Sequence, residues 1–295
     1  MRATFLGGVA IGLLGVAGAA GAQAPAAPKY GPARGALVIV GGNLHDPALY
    51  AKFIELMGGP AGSLLVIPTA GDVDTFSNAY AGLKPWRDAG ATNVAVLHTR
   101  NHDIANADTF VAHIRSAKGV FFEGGRQWKL ADAYLNTKVQ TELNALLQRG
   151  GVIGGSSAGA TIQGSFMVRG DTKGNQIMVG DHTVALGFLK NAAIDQHVLV
   201  RNRVYDLIPV IQAHPEMLGI GIDENTAIVV RGDSFDVYGE SHVMIYDHHH
   251  TFGADGKFYF LSKGDRYNMA TRTPTRPGGR EGENFFAALK AEEWN

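Results

Sequence analysis

The stretch Gly151-Val-Ile-Gly-Gly-Ser-Ser-Ala-Gly-Ala160 runs from an apolar pair into two glycines, two serines and a second run of small residues. A chain reads this way when a β-strand turns sharply into a helix and holds one side chain at the bend, because the crowded turn leaves no room for larger neighbours. Ser157 would occupy the apex. The N–H of Ala158 would then lie at a helix N-terminus, aimed at negative charge forming beside the hydroxyl. The pattern is that of a nucleophile elbow and points to a serine hydrolase. The competing reading is a glycine-rich turn that cradles a phosphate.

Outward from the elbow, the first half of the chain alternates apolar runs with helical patterns. Ala36–Val40, Ser63–Ile67, Asn93–Leu97 and Val120–Phe122 are short, nearly continuous apolar runs, ending in Gly-Gly, Pro-Thr-Ala-Gly, His-Thr-Arg and Glu-Gly-Gly. Such runs suit parallel strands buried on both faces. Between them lie stretches of helical length. In Thr137–Gln148, Val139, Leu143, Leu146 and Leu147 share one side, with Asn136 as the expected N-cap and Gly150 beyond the end. Repeated βα units predict an α/β fold, a doubly wound, mostly parallel sheet between helix layers, with ligands at the C-terminal ends of its strands. After about residue 218 the runs crowd together: Ile220–Ile222, Thr226–Val230, Phe235–Tyr238 and Val243–Tyr246, with Arg231-Gly-Asp-Ser234 as a hairpin turn. These predict an antiparallel C-terminal extension of the same sheet, so that 36–295 forms one domain. A short helix over Phe285–Trp294 is expected to dock at its end.

Composition narrows the function. The net charge of −1 gives no basic footprint for nucleic acid. There is no cysteine, which excludes disulfides, thiolate metal sites and a cysteine nucleophile. Residues 1–24 read as a secretory signal peptide: Arg2, an uncharged apolar run from Phe5 to Ala20, and small-x-small cleavage sites at Ala20-Gly-Ala22 and Ala22-Gln-Ala24. The run is short and glycine-rich for a membrane anchor. The expectation is a periplasmic or secreted protein, free of the membrane after cleavage, with residues 25–35 as a linker. Asp247-His-His-His250 reads as a solvated turn, since consecutive residues do not converge on one ion. No metal or cofactor is expected.

A serine nucleophile needs a base, and the base an orienting acid. His45, His98, His102, His113 and His182 lie in polar loops or on helix surfaces. His197 differs. It ends Ala193-Ile-Asp-Gln-His197, emerging from an apolar segment, with Arg201 and Arg203 just beyond. A dense polar cluster there is costly unless it serves a site. Glu224, in Gly219-Ile-Gly-Ile-Asp-Glu-Asn-Thr-Ala227, gives a similar signal. Taken singly, His197 also reads as a core histidine, and Asp223 with Glu224 as a loop between strands. The twin glycines of Val120-Phe-Phe-Glu-Gly-Gly-Arg-Gln127 offer a second oxyanion donor, and Gln127 a contact to a polar substrate group.

Together, Gly154-Gly-Ser-Ser-Ala-Gly-Ala160, Gly124-Gly-Arg-Gln127, Asp195-Gln-His197 with its spaced arginines, and Gly221-Ile-Asp-Glu-Asn-Thr-Ala227 resemble the cyanophycinases of peptidase family S51, relatives of the aspartyl dipeptidase called peptidase E. The resemblance covers about Leu37 to Asp247. It implies a flavodoxin-like fold close to the class I glutamine amidotransferases. It also implies a serine exopeptidase that releases β-Asp-Arg dipeptides from a polymer with a poly-aspartate backbone. Carried over motif by motif, Ser157 is the nucleophile, His197 the base and Glu224 the orienting acid. Gly125 and Ala158 form the oxyanion hole, and Gln127, Asp195, Gln196, Arg201 and Arg203 line the substrate pocket. A homodimer is an expectation by the same analogy. One departure stands out: Asp206 occupies the place of a third arginine, which favours a second reading, an S51 peptidase for other acidic or isoaspartyl peptides. A third reading is a non-catalytic binding protein of the same fold.

Overall fold

The structure, a computed structural model, describes residues 26–248 and 258–276, with Met1, Ala3 and Thr4. The apolar core of the expected signal peptide, His249 and His250, and the expected helix over Phe285–Trp294 lie outside the described residues. Among those described, no helix is long and apolar enough to cross a membrane.

In chain order the elements are β1 (Ala36–Val40), α1 (Pro47–Leu56), β2 (Ser63–Ile67), α2 (Lys84–Asp88), β3 (Asn93–Val96), α3 (His102–Ala105), α4 (Asp108–Ser116), β4 (Gly119–Phe122), α5 (Gln127–Tyr134), α6 (Lys138–Gln148), β5 (Val152–Ser156), α7 (Ala158–Thr161), β6 (Ala192–Gln196), α8 (Leu207–Ala213), β7 (Leu218–Ile222), β8 (Thr226–Arg231), β9 (Ser234–Gly239), β10 (Val243–Tyr246), β11 (Tyr259–Leu261), β12 (Arg266–Asn268) and β13 (Thr273–Thr275). The larger sheet among the described residues runs β13-β12-β9-β8-β1-β5-β4-β2-β3. Its β1 to β5 half is parallel; β8 joins β1 antiparallel, with β9, β12 and β13 beyond.

Alternation along the strands splits the interior. Leu37 and Ile39 of β1 face one core with α4, α5 and α6; Ala36, Val38 and Val40 face another with α1 and Trp86 of α2. Successive side chains of a strand point to opposite faces, so a sheet covered on both sides needs apolar residues at every position. In the second core, Trp86 meets Tyr50, Phe53 and Phe121 edge to face at centroid distances of 4.8, 5.1 and 4.8 Å. Each such pair adds about 0.5–1.5 kcal/mol beyond area burial.

The structure corrects the sequence reading in three places. First, Ile220–Ile222 and Val243–Tyr246 do not extend the large sheet. They belong to a second sheet, β11-β10-β7-β6, in which β6 and β7 are parallel. The reason lies in β7, Leu-Gly-Ile-Gly-Ile. Ile220 and Ile222 face the core shared with the large sheet. On the other face Gly219 lets α8 approach, since a Cβ there would lie 2.8 Å from Ile211 Cγ1 and from Tyr246 Cβ. Second, the expected linker is partly fold: Tyr30 is fully buried, its N–H donates to Asp233 Oδ1, and Gly31 pairs with Gly232. Third, Thr137, not Asn136, is the N-cap of α6; Asn136 takes a positive φ of 58° one residue earlier.

The register gathers the ends that matter. Val40, at the C-terminal end of β1, lies between Ser156 of β5 and Ala227 of β8. Gln196, at the end of β6, pairs with Ile222 at the end of β7. The turn Asp223–Asn225 therefore carries the chain from the small sheet into the large one, where the two meet.

Candidate active site

Ser157 stands at the β5–α7 bend with φ 56° and ψ −114°, a conformation costly for any residue with a Cβ. Its N–H donates to Val40 O, and the small residues around it explain how the bend closes. A Cβ on Gly155 would lie 2.1 Å from Gly159 O, and one on Gly159 would lie 2.1 Å from Phe122 O. His197 makes a matching corner after β6: φ is 54° and its N–H donates to Gly41 O, one residue beyond the end of β1.

These two corners bring Ser157 Oγ to 2.8 Å from His197 Nε2, and His197 Nδ1 to 2.5 Å from Glu224 Oε1. Burial pushes the His197 imidazole below its ordinary range. The hydrogen bond that Nδ1 donates to Glu224 opposes this, and the nearby charges of Arg201 and Arg203 reinforce the lowering. A histidine so held is neutral at neutral pH and able to accept the hydroxyl proton. Gly42 flanks the ring at φ 133°; a Cβ there would fall 2.1 Å from His197 Cε1. Asp223 serves a different purpose from its neighbour: Oδ1 accepts from the N–H groups of Leu199 and Val200, and Oδ2 from Ser241, which fixes the loop after His197.

Gly124 packs against the nucleophile: a Cβ there would lie 3.3 Å from Ser157 Cβ. Gly125 follows at φ 140°, where a Cβ would strike Ala70 O. Neither the Gly125 N–H nor the Ala158 N–H donates to a described residue. The arrangement suits stabilisation of an oxyanion beside Ser157.

The expected pocket residues divide. Arg201 is exposed and its guanidinium has no partner among the described residues. Arg203 is nearly buried, with Nη1 donating to Gln196 O and Oε1 at 3.1 and 2.9 Å. Asp195 is fully buried and hydrogen-bonds to neither of them: its carboxylate takes Nε and Nη2 of Arg169 at 2.7 and 2.9 Å. Gln127 turns inward, its amide nitrogen donating to Val168 O and Arg169 O at 2.9 Å each, so it braces the backbone that presents Arg169.

Arg169 itself was missed. It is fully buried, sits at φ 56°, and also donates to Asn175 O and to Asp206 Oδ2. Burial works against its charge, but the Asp195 and Asp206 carboxylates outweigh that and raise its affinity for the proton. The only trace in the sequence is a lone cation closing the apolar run Phe166-Met-Val-Arg169. Asp206 is therefore not a bare acid beside Arg201 and Arg203; it shares Arg169 with Asp195. Among the described residues no group of three or more His, Asp or Glu could hold a metal ion.

A serine at a strained strand–helix bend, hydrogen-bonded to a buried histidine at the junction of two sheets, defines a serine-hydrolase geometry, and comparison specifies the class. The family model for peptidase family S51 matches residues 37–238, and the chain belongs to that family of serine-type peptidases. It is similar to curated cyanophycinases. That of Geminocystis herdmanii (strain PCC 6308) is 28% identical over 82% of this chain and 96% of the relative. That of Nostoc sp. (strain PCC 7120 / SAG 25.82 / UTEX 2576) is 30% identical over 81% and 87%. The crystal structure of a peptidase from an acI-B1 Actinobacterium, 22% identical, shares the fold with a TM-score of 0.58 over 81% of this chain and 98% of that one.

Proposed function

We propose that this chain is an exported serine exopeptidase that hydrolyses cyanophycin to β-Asp-Arg dipeptides. The observation that carries the reading is the continuous hydrogen-bonded line Ser157–His197–Glu224. Ser157 Oγ attacks the scissile carbonyl while His197 Nε2 takes its proton, and Glu224 steadies the imidazolium that forms. The oxyanion takes the N–H groups of Gly125 and Ala158. His197 then protonates the leaving amine, and the acyl-enzyme is hydrolysed by water with His197 again as base. Arg201, together with the donors of Arg203 not turned to Gln196, meets substrate carboxylates, for which the guanidinium fork is suited. Export rests on the signal-peptide pattern of residues 1–24.

A second reading, cleavage of other acidic or isoaspartyl peptides, is favoured by one observation: where a third arginine was expected, Asp206 binds Arg169, leaving two arginines near the base. Incubation of the protein with cyanophycin and with a panel of β-Asp-X dipeptides separates the two. The first reading expects release of β-Asp-Arg from the polymer. Turnover of the small peptides without attack on the polymer would replace it with the second.

A further inference from the structure

One buried cation ties together the two ends of the turn that carries the base and the arginines beside it. The turn starts where β6 ends and stops where α8 begins: Asp195 lies two residues before His197, and Asp206 directly before Leu207. Arg169 reaches both. Its Nε and Nη2 meet the Asp195 carboxylate, and Nη2 also meets Asp206 Oδ2, so a single planar fork holds both ends of the segment. Asp206 occupies the N-cap position of α8, where an aspartate ordinarily accepts from the N–H groups of the first turn; its side chain makes no such bond and goes to Arg169 instead. Asp195 Oδ1 also accepts the Gln196 N–H, which fixes the residue just before His197. Between the held ends the chain is tightly wound, with Arg201 N–H donating to His197 O, Arg203 N–H to Val198 O and Asp206 N–H to Arg203 O. Arg169 is anchored from outside the turn: its N–H donates to Met178 O, Nη1 to Asn175 O, and its carbonyl accepts from Gln127.

We propose that Arg169 is a positioning residue with two separable arms: the Asp195 arm holds His197 in line with Ser157, and the Asp206 arm sets Arg201 and Arg203 for a substrate carboxylate. The inference rests on the peptidase reading above and adds to it a residue that touches neither substrate nor nucleophile. The arms differ in burial. The Asp195 side chain is shut off from solvent, whereas that of Asp206 is 36% exposed, so the second arm can be cut without opening the core. Charge and position pull in opposite directions there. Asp195 and Asp206 both lie within electrostatic reach of Arg203. Removing the Asp206 charge would, by charge alone, strengthen the pull of Arg201 and Arg203 on an anion. Losing the clamp weakens that pull, because the two guanidinium forks no longer stand in place.

Two readouts on the intact protein separate the arms. The rate of fluorophosphonate labelling of Ser157 reports the nucleophile and its base; NMR titration with N-acetyl-L-aspartate reports carboxylate binding. Asp206→Asn, which keeps the shape and removes the charge, should weaken the probe about threefold or more, the scale of a coupling carried by a hydrogen-bonded network, and leave labelling within about twofold. On a peptide that the protein turns over, the same split appears as a raised KM with kcat retained. Arg169→Lys keeps the buried charge but not the fork, and should impair both readouts. Asp206→Asn, at the partly open end, decides even where Arg169→Lys does not fold. Unchanged or tighter probe binding in Asp206→Asn, labelling slowed as much as binding, or a wild type that does not bind the probe would each overturn the two-arm clamp. Wild-type protein that resists labelling would sink the peptidase reading; the titration needs no turnover and still decides the Asp206 arm.

Discussion

The two corners that meet at the site are built alike but held by different means. Ser157 and His197 each follow a parallel strand, each takes a left-handed backbone conformation, and they donate their N–H groups to consecutive carbonyls, Val40 O at the end of β1 and Gly41 O just beyond it. At Ser157 the bend itself is made within ten consecutive residues, because small side chains let β5 fold back onto α7, and only close backbone approaches from Val40, Phe122 and Gly124 are added to it. At His197 the supports come from far along the chain. Gly42 makes room for the ring, Asp223 fixes the following loop, and Glu224 orients the imidazole from the crossing between the sheets. The nucleophile is placed by local sequence and its base by tertiary structure.

That contrast can be broken with one methyl group at a time. The largest effect is expected from Gly42→Ala. Its Cβ would meet a side-chain ring, so the imidazole shifts, and a displacement of order 1 Å lowers kcat by about 10²-fold. Gly155→Ala meets backbone instead, at Gly159 O, and should act first on folding, with a loss of about 1–3 kcal/mol in denaturant unfolding. If Gly42→Ala lost stability and kept kcat, or Gly155→Ala did the reverse, the distinction between the corners would fail.

A smaller effect sharpens the same contrast electrostatically. Burial, helped by Arg201 and Arg203, lowers the proton affinity of His197, so its neutral form survives into mild acid. The acid limb of kcat/KM is therefore expected below the ordinary histidine value of about 6.5. Arg201→Gln removes one of the charges that disfavour the imidazolium, so the limb should move up in pH. An unmoved limb would mean that another group titrates there. The pH profile of kcat/KM on a turned-over peptide reads the shift directly.

What could be read from the sequence follows the same division. The elbow was legible because glycine, serine and alanine stand side by side and their crowding has one explanation. His197 and Glu224 stood out as polar residues at the ends of apolar runs, and the family resemblance assigned their roles. The second sheet was not legible: β7 and β10 are short apolar strands like any others, and nothing local says which neighbour they pair with. Arg169 was hidden for a related reason. Its partners, Asp195 and Asp206, lie 26 and 37 residues away, and the meaning of each depends on the other two. Asp206, read alone, looked like a lost cation; in the structure it helps neutralise a buried one.

The central claim is that Ser157, activated by His197, is the nucleophile. Treating the protein with a fluorophosphonate and mapping the adduct by peptide mass spectrometry tests it most directly. The account predicts a single modification on Ser157, absent in Ser157→Ala and strongly slowed in His197→Ala. Modification of Ser156 instead, or labelling that persists at full rate in either variant, would contradict it.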